Sequence, residues 1–508
     1  MTSNSQEIIQ DVRAQFEHML DFVTGEQAHT AKADHIERGL FKLLLSLGLK
    51  LLRLFFVMRS QASSRQPLQT EMGQVLPYHR DTACDYFSIF GKLSFERPYF
   101  YKQGVGQQTP LDAELSLGAD CYSDLVREVS EYLGVYNVYG KVTDILERLL
   151  GLKLSSRALQ QNIAEDVAEV QAYYAQKSPP APPSEAEILV IQADGKGVPL
   201  VLEEAVENKR RLGKGEKRGH KKEAVVTGVY TISPSVRTPE QVVASFFDQT
   251  YPAIQPPKPH NKNIWATLDG KDTALSRLAR QVTLRQGNHI QHQVALCDGC
   301  EALQSRIAKH FPDFTQVLDF IHANEYLWDV ANSLLGETNE QRTDWMKTHT
   351  LHMLSGQTDQ LIHEFRHLAQ QPKTRAAQRI QLYKTANYFE RNLPYMDYPT
   401  YLSKGWPIAS GVIEGACRHF VKDRCELSGM RWLQTGAENL LRLRAVAEND
   451  DWDDYHAYRR QQRHRRLYGT PLADPKTIEI QAINLPISVH EPCISNGQII
   501  YHQLPLAA

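Results

Sequence analysis

The residues best suited to chemistry in this 508-residue chain are carboxylates set far apart in sequence. Asp194 interrupts an apolar run, Ile188–Ile191, just before two glycines. Asp298 ends the run HQVALCDG, and Asp319 lies near the end of TQVLDFIH, with His322 three residues on. Glu414 sits in SGVIEGACRHFVKDRCELSGMRW, Ser410–Trp432. One acid inside a strand, one ending a later strand and one on a distant helix make chemical sense together if they converge on two Mg²⁺ ions, or Mn²⁺ in their place. Hard divalent cations take carboxylate oxygens and keep water and phosphate as their other ligands. Two such ions stabilise the attacking and the leaving oxygen of an in-line phosphoryl displacement, with no Ser or His nucleophile needed.

Each element that must position these acids also admits a plainer reading. Ser410 can cap a helix start, and Val412, Ile413, Ala416, Cys417, Phe420 and Val421 recur as one apolar stripe. Glu414 borders that stripe, with Arg418 and Lys422 following at i+4 and i+8. By itself this is an acid favouring the helix dipole, followed by an i,i+4 pair. A buried strand acid at Asp194 needs a partner or a metal, whereas an Asp-Gly hairpin turn needs neither. HQVALCDG, the helix from Cys300 to His310 and the run Thr315–His322 form a strand–helix–strand unit, which implies parallel neighbours. Cys297 and Cys300 form a CxxC with no second Cys/His pair nearby to complete a zinc site.

The rest of the chain divides by composition. Residues 1–75 read as helical, with the greasy run Leu40–Met58 as a buried core helix; Lys42, Lys50 and Arg53 disqualify it as a membrane span. Within 76–178, Tyr86–Tyr101 reads as a β-hairpin broken at Gly91. YGKVTDILERLLGLKLSSRALQQNIAEDV reads as helix, glycine turn and Ser-capped helix, as in DNA-binding helix–turn–helix units and in many helical hairpins that touch no DNA. A proline-rich linker, 179–187, precedes an α/β domain over 188–322 and 406–450, interrupted by a helical insertion at 323–405. Residues 451–508 read as a C-terminal tail. Asn208–Lys222 holds eight cations, Lys209, Arg210, Arg211, Lys214, Lys217, Arg218, Lys221 and Lys222, against one Glu. It suits either a solvated hairpin tip or a phosphate backbone.

With 42% hydrophobic and 23% charged residues, the composition is that of a globular protein. A formal net charge of −2 leaves any nucleic-acid signal local rather than global. Seven cysteines without regular spacing fit a reducing cytoplasm, and the N-terminus lacks a basic-then-apolar signal pattern.

The segments ADGKG (193–197), ALCDG (295–299), LDFIHANEYLW (318–328) and GVIEGACRHFVKDRCELSGMRW (411–432) resemble the ISKra-four-type bacterial insertion-sequence transposases and, more loosely, the Mutator-like DDE transposases. The resemblance spans most of residues 85–450. It implies a ribonuclease-H-like α/β catalytic core, preceded by a mainly helical N-terminal region with a β-hairpin. It also implies a Mg²⁺-dependent DDE triad, double-stranded transposon-end and target DNA as substrate, and a nucleoid-associated bacterial protein working as a homodimer or higher oligomer on two DNA ends. Asp194 matches the first acid and Glu414 the last. Many relatives carry a Cys pair after the hairpin, which this chain lacks. In a ribonuclease-H-like sheet the strand ending at Asp298 adjoins the strand of Asp194, and the strand of Asp319 lies one further out. Asp298 is therefore expected as the second acid. Asp319 and His322, which fit the Asp-x-x-His pair of Mutator-like relatives, are expected to position the site, with Asp319 the main alternative acid and Asp269 an outside one. Arg418, Lys422 and Arg424 are expected to join the basic loop in holding phosphates.

Overall fold

The computed structural model describes residues 3–469 except 71, 202–219, 249, 253–256 and 428, together with 472, 492–495 and 498–501. Its N-terminal part begins with two helices, α1 (Ser3–Thr24) and α2 (Ala33–Ala62), which pack on each other as an antiparallel pair tied by Lys50 and Asp11. A three-stranded antiparallel sheet follows, β1 (Tyr78–Ser88), β2 (Gly91–Lys102) and β3 (Gly106–Gln108). The hairpin is thus longer than the aromatic run suggests, because the polar stretch Tyr78–Asp85 also pairs, with a bulge between Tyr78 and Arg80. Three helices come next: α3 (Asp124–Tyr136), α4 (Tyr139–Leu150) and α5 (Ser156–Asp166). The helix–turn–helix pattern is realised in α4 and α5. Gly151 adopts φ +70° at the end of α4, and Ser155 caps α5 by accepting from the Ala158 N–H.

The centre of the molecule is a mixed five-stranded sheet. Its strands are β4 (Ile188–Leu200), β5 (His220–Ile232), β6 (His260–Thr267), β7 (His292–Cys297) and β8 (Thr315–Leu318), in spatial order β8-β7-β4-β5-β6. β4, β5 and β6 form an antiparallel meander, while β7 and β8 add on parallel to β4. Helix α6 (Lys271–Arg285) lies between β6 and β7, and α7 (Glu301–His310) crosses from β7 to β8. Alternation decides what each face meets. Leu189, Ile191 and Ala295 face α6 and α7 through Leu278, Leu303 and Ile307. Ile188, Val190, Val294, Leu296 and Val317 face the other way, into the helical segment 320–403. That segment comprises α8 (Phe320–Leu335), α9 (Gln341–Leu354), α10 (Thr358–Gln370), α11 (Ala376–Asn392) and the short turn Tyr398–Ser403. The insertion therefore supplies one cover of the sheet. A short helix α12 (Gly411–Gly415), a π-helical turn (Ala416–Lys422), α13 (Gln434–Glu448) and α14 (Trp452–Tyr468) complete the described fold.

Four expectations need correction. TQVLDFIH is a strand only as far as Leu318; Asp319 caps α8, and His322 lies in its first turn. Residues 452–468 are not tail but a helix, with Tyr455, His456 and Arg459 buried. The proline-rich stretch is no free linker: Glu185 forms an ion pair with Arg285, both side chains almost fully buried, and accepts from Thr231. A single apolar core runs past it, joining Val126, Leu146 and Leu159 to Trp265, Phe420 and Leu440. Finally, α2 is not a core helix: only Phe56 and Ser60 are buried along its 30 residues.

Candidate active site

Strand β4 organises the site. It runs through Asp194 without turning, the residue pairing with Val226 of β5, so the Asp-Gly hairpin reading does not hold. In the parallel pair β4–β7, Gln192 faces Leu296. That pair is the last of the β4–β7 ladder, and Asp194 and Asp298 each lie two positions beyond it. Across β7–β8, Cys297 faces Leu318, and Asp298 and Asp319 are the next residues of their segments. The Asp319 N–H extends this ladder by bonding the Cys297 carbonyl at 2.8 Å. The three aspartates thus belong to, or directly follow, three neighbouring strands, with the strand before Asp298 in the middle.

The turn carrying Asp298 is held from both sides. Its carboxylate accepts the Cys300 N–H at 2.9 Å. Its carbonyl accepts the Tyr388 hydroxyl at 2.9 Å, and Arg391 donates to the Gly299 carbonyl at 2.8 Å. Both clamps come from α11. Gly299 adopts φ +83°, and a Cβ there would lie 2.5 Å from the Tyr388 oxygen, so glycine is required twice over. Asp298 itself remains partly exposed.

Asp319 is placed differently. Fully buried, it accepts the Ile321 N–H at 2.6 Å, the His322 N–H at 3.3 Å and, on its other oxygen, the Ser410 N–H at 2.6 Å. It thereby ties the start of α8 to the start of α12.

Glu414 is exposed in the first turn of α12, and the apolar stripe below it is buried as its spacing requires. Ser410 makes no capping bond to the backbone; its hydroxyl donates instead to Glu414 Oε1 at 3.3 Å. The segment hangs on β4 at both ends. The Ile413 N–H donates to Gln192 Oε1 at 2.9 Å, and Trp432 exchanges backbone bonds with Pro199 and Val201. Between these anchors lies the π-helical turn, an irregularity frequent at functional sites.

His322 joins the parts. Its Nε2 is 3.6 Å from Glu414 and its Nδ1 3.4 Å from Glu325. Burial disfavours the imidazolium, but Asp319, Glu325, Glu414 and Asp298 outweigh it and raise the affinity of the ring for a proton. Asp319, His322 and Glu414 each offer a ligand atom within 4.8 Å of the others. On the other side, burial and the carboxylates of Asp194 and Asp298 hold the Cys417 thiol protonated, against the pull of Lys196. Asp194 and Asp298 thus both act on Cys417, and Asp298 and Glu414 both act on His322.

No protein-family model and no curated protein matches this chain.

The remaining expected residues sort by position. Asp269 follows β6, on the opposite side of β4 from β7, and faces Arg442 at 3.5 Å; it is not part of the cluster. Arg424 is buried between Tyr139 and Trp432 and donates to the Gly134 carbonyl, which removes it as a phosphate contact. Arg418 and Lys422 are exposed. Lys221 pairs with Glu426, and Lys222 is half-buried on β5. Lys209, Arg210, Arg211, Lys214, Lys217 and Arg218 lie outside the described residues. Sequence reasoning passed over Gln192, Cys417, Lys196 and Tyr388. Only Gln192 carried a signal, as a polar residue inside the run ILVIQAD.

Proposed function

We propose that this chain is a DNA transposase of the DDE type, with a ribonuclease-H-like core, acting on insertion-sequence ends and joining them to target DNA. The observation that carries the reading is the parallel pairing of β4 with β7, two residues short of Asp194 and Asp298, together with the Gln192 bond that anchors the Glu414 helix on β4. The donor set suits hard divalent ions: Asp194, Asp298 and Glu414 offer only oxygen, and Asp298 and Glu414 are open to solvent to different degrees. A pair of Mg²⁺ ions held by these three would activate the attacking hydroxyl and neutralise the scissile phosphate. Asp319 is the weaker second acid, since its oxygens already accept three backbone N–H groups; it holds the Glu414 helix against α8. His322, beside Glu414, orients that carboxylate. Arg418 and Lys422, one and two turns beyond Glu414, place cations for the DNA backbone without reading its sequence. Working on two ends implies at least a dimer on DNA, in the bacterial nucleoid.

The test is Mg²⁺-dependent cleavage and strand transfer on DNA carrying the inverted repeats that bracket the coding sequence, with Asn at 194, 298 or 319 in turn. Asp194→Asn and Asp298→Asn are expected to lose at least about 100-fold in rate while remaining folded, as loss of a preorganised electrostatic group does. Full activity in Asp298→Asn, with a folded but dead Asp319→Asn, makes Asp319 the second acid. Binding of ends without cleavage in Mg²⁺ or Mn²⁺ overturns the enzyme in favour of a DNA-binding descendant; cleavage without joining leaves a nuclease of the same fold.

A further inference from the structure

The helix pair at the N-terminus is at odds with its own sequence. A helix apolar on nearly all sides belongs in a core, yet α2 buries only Phe56 and Ser60. Phe56 packs against the β-hairpin, stacking on Phe95 at 4.4 Å between ring centroids. What stays open is ordered. Phe41, Leu44, Leu51, Phe55 and Met58 are each 39–50% exposed. With Gly48 they fall at positions 41, 44, 48, 51, 55 and 58, the alternating three-and-four spacing of a coiled-coil seam. Gly48 is a filled slot in this seam: a Cβ there would lie 2.7 Å from the ring of Phe90, itself exposed at the tip of the hairpin. Helix α1 exposes Phe16, Leu20 and Val23 at the same spacing.

We propose that α1 and α2 form the interface of a homodimer, as an antiparallel four-helix bundle that assembles without DNA. Two observations select a second copy of this chain as the occupant. First, the area fits. Nine large apolar side chains, each showing a little under half of roughly 200 Å², offer on the order of 800 Å² per protomer, the size of a standard stable interface. Second, the charges are self-complementary. Arg13, Glu17 and Asp21 on α1, and Glu37, Lys42 and Arg53 on α2, have no ion-pair partner among the described residues, so each helix keeps open charges of both signs, while the Asp11–Lys50 pair shows that an α1 acid and an α2 cation match within one chain. A two-fold axis placing α1 of one protomer along α2 of the other lets open charges of each helix meet opposite charges on its partner, twice over, as in an isologous interface.

The inference does not depend on the catalytic reading, since a chain that never cleaves DNA would still associate. Light scattering on the size-exclusion eluate of the full chain, without DNA, is expected to give twice the 57.8 kDa chain mass at micromolar concentration. Leu44→Glu with Leu51→Glu is expected to return it to the chain mass, with far-UV circular dichroism unchanged because both positions are exposed. A wild-type chain that stays at 57.8 kDa up to tens of micromolar overturns the proposal, whatever the variant does. So does a dimer that persists in the folded double variant, or a monomer that instead binds vesicles of mixed neutral and anionic lipid through this face.

Discussion

Two aspartates one strand apart show how the same residue type serves two purposes. Asp298 is partly exposed and gives one oxygen to its own turn, whereas Asp319 is fully buried and holds three backbone N–H groups from two helices. Removing the second acceptor orphans buried donors, each worth roughly 1–3 kcal/mol. Asp319→Ala is therefore expected to cost about 2–4 kcal/mol in urea-denaturation stability, and Asp298→Asn less than about 1 kcal/mol. Equal losses at both positions would assign them equal structural weight and remove the distinction between the acid and its support.

Among elements, the contact of α14 with α3 and α5 is the most highly charged. Arg127 pairs with Asp120, Glu165 and Asp166, and Arg459 with Asp124 and Asp166. Glu131 and His456 lie within this network, fully buried and 3.9 Å apart. Burial and the neighbouring Asp166 hold Glu131 protonated, although Arg459 and Arg127 pull the other way. Burial, with Arg459 and Arg460, pulls His456 down to about 3, so it folds as the neutral ring. The signs differ. The folded chain keeps a proton on Glu131 that the unfolded chain loses above about pH 4.5, so this residue reduces stability as pH rises. His456 reduces it as pH falls below about 6.5, where the unfolded ring takes up a proton that the folded ring refuses. Glu131→Gln is expected to raise the melting temperature relative to wild type at pH 8, the gain vanishing by about pH 4. A variant less stable at pH 8 would mean that Glu131 is held ionised by the arginines.

For the whole molecule, helices α3–α5 and the α/β sheet share one core. Val126, Leu146 and Leu159 pack into the same cluster as Trp265, Leu440 and Tyr455. A fragment starting at Ile188 would leave the apolar face of α13 uncovered and the buried arginines of α14 without Asp124 and Asp166. It is expected to aggregate or to melt without a cooperative transition in calorimetry, whereas the full chain unfolds cooperatively. A soluble, cooperatively folding 188–469 fragment would show that the proline-rich stretch does separate independent units.

Periodicity alone determined much of this protein: the strands through Asp194 and up to Asp298, the parallel crossover from the latter to the Thr315 strand, the Ser155-capped helix and the buried stripe beneath Glu414. These are local patterns, fixed by side-chain alternation and by what a turn requires. Where charge and burial come from elsewhere in the chain, the sequence was silent or misleading. Arg424 reads as a surface cation, yet it is sandwiched between aromatic rings brought from residues 139 and 432. The DDWDDYHAYRRQQRHRR run reads as a polar tail, because its buried arginines find their acids on helices some 300 residues earlier. The greasy helix Leu40–Met58 reads as core, and the single chain leaves it half open. Glu414 began as an ordinary first-turn acid. Only the strand register, and a buried glutamine bonding the backbone of its helix, set it at the same end of the sheet as Asp194 and Asp298, because hydrogen-bonded strands fix the spacing of groups that chain separation leaves free.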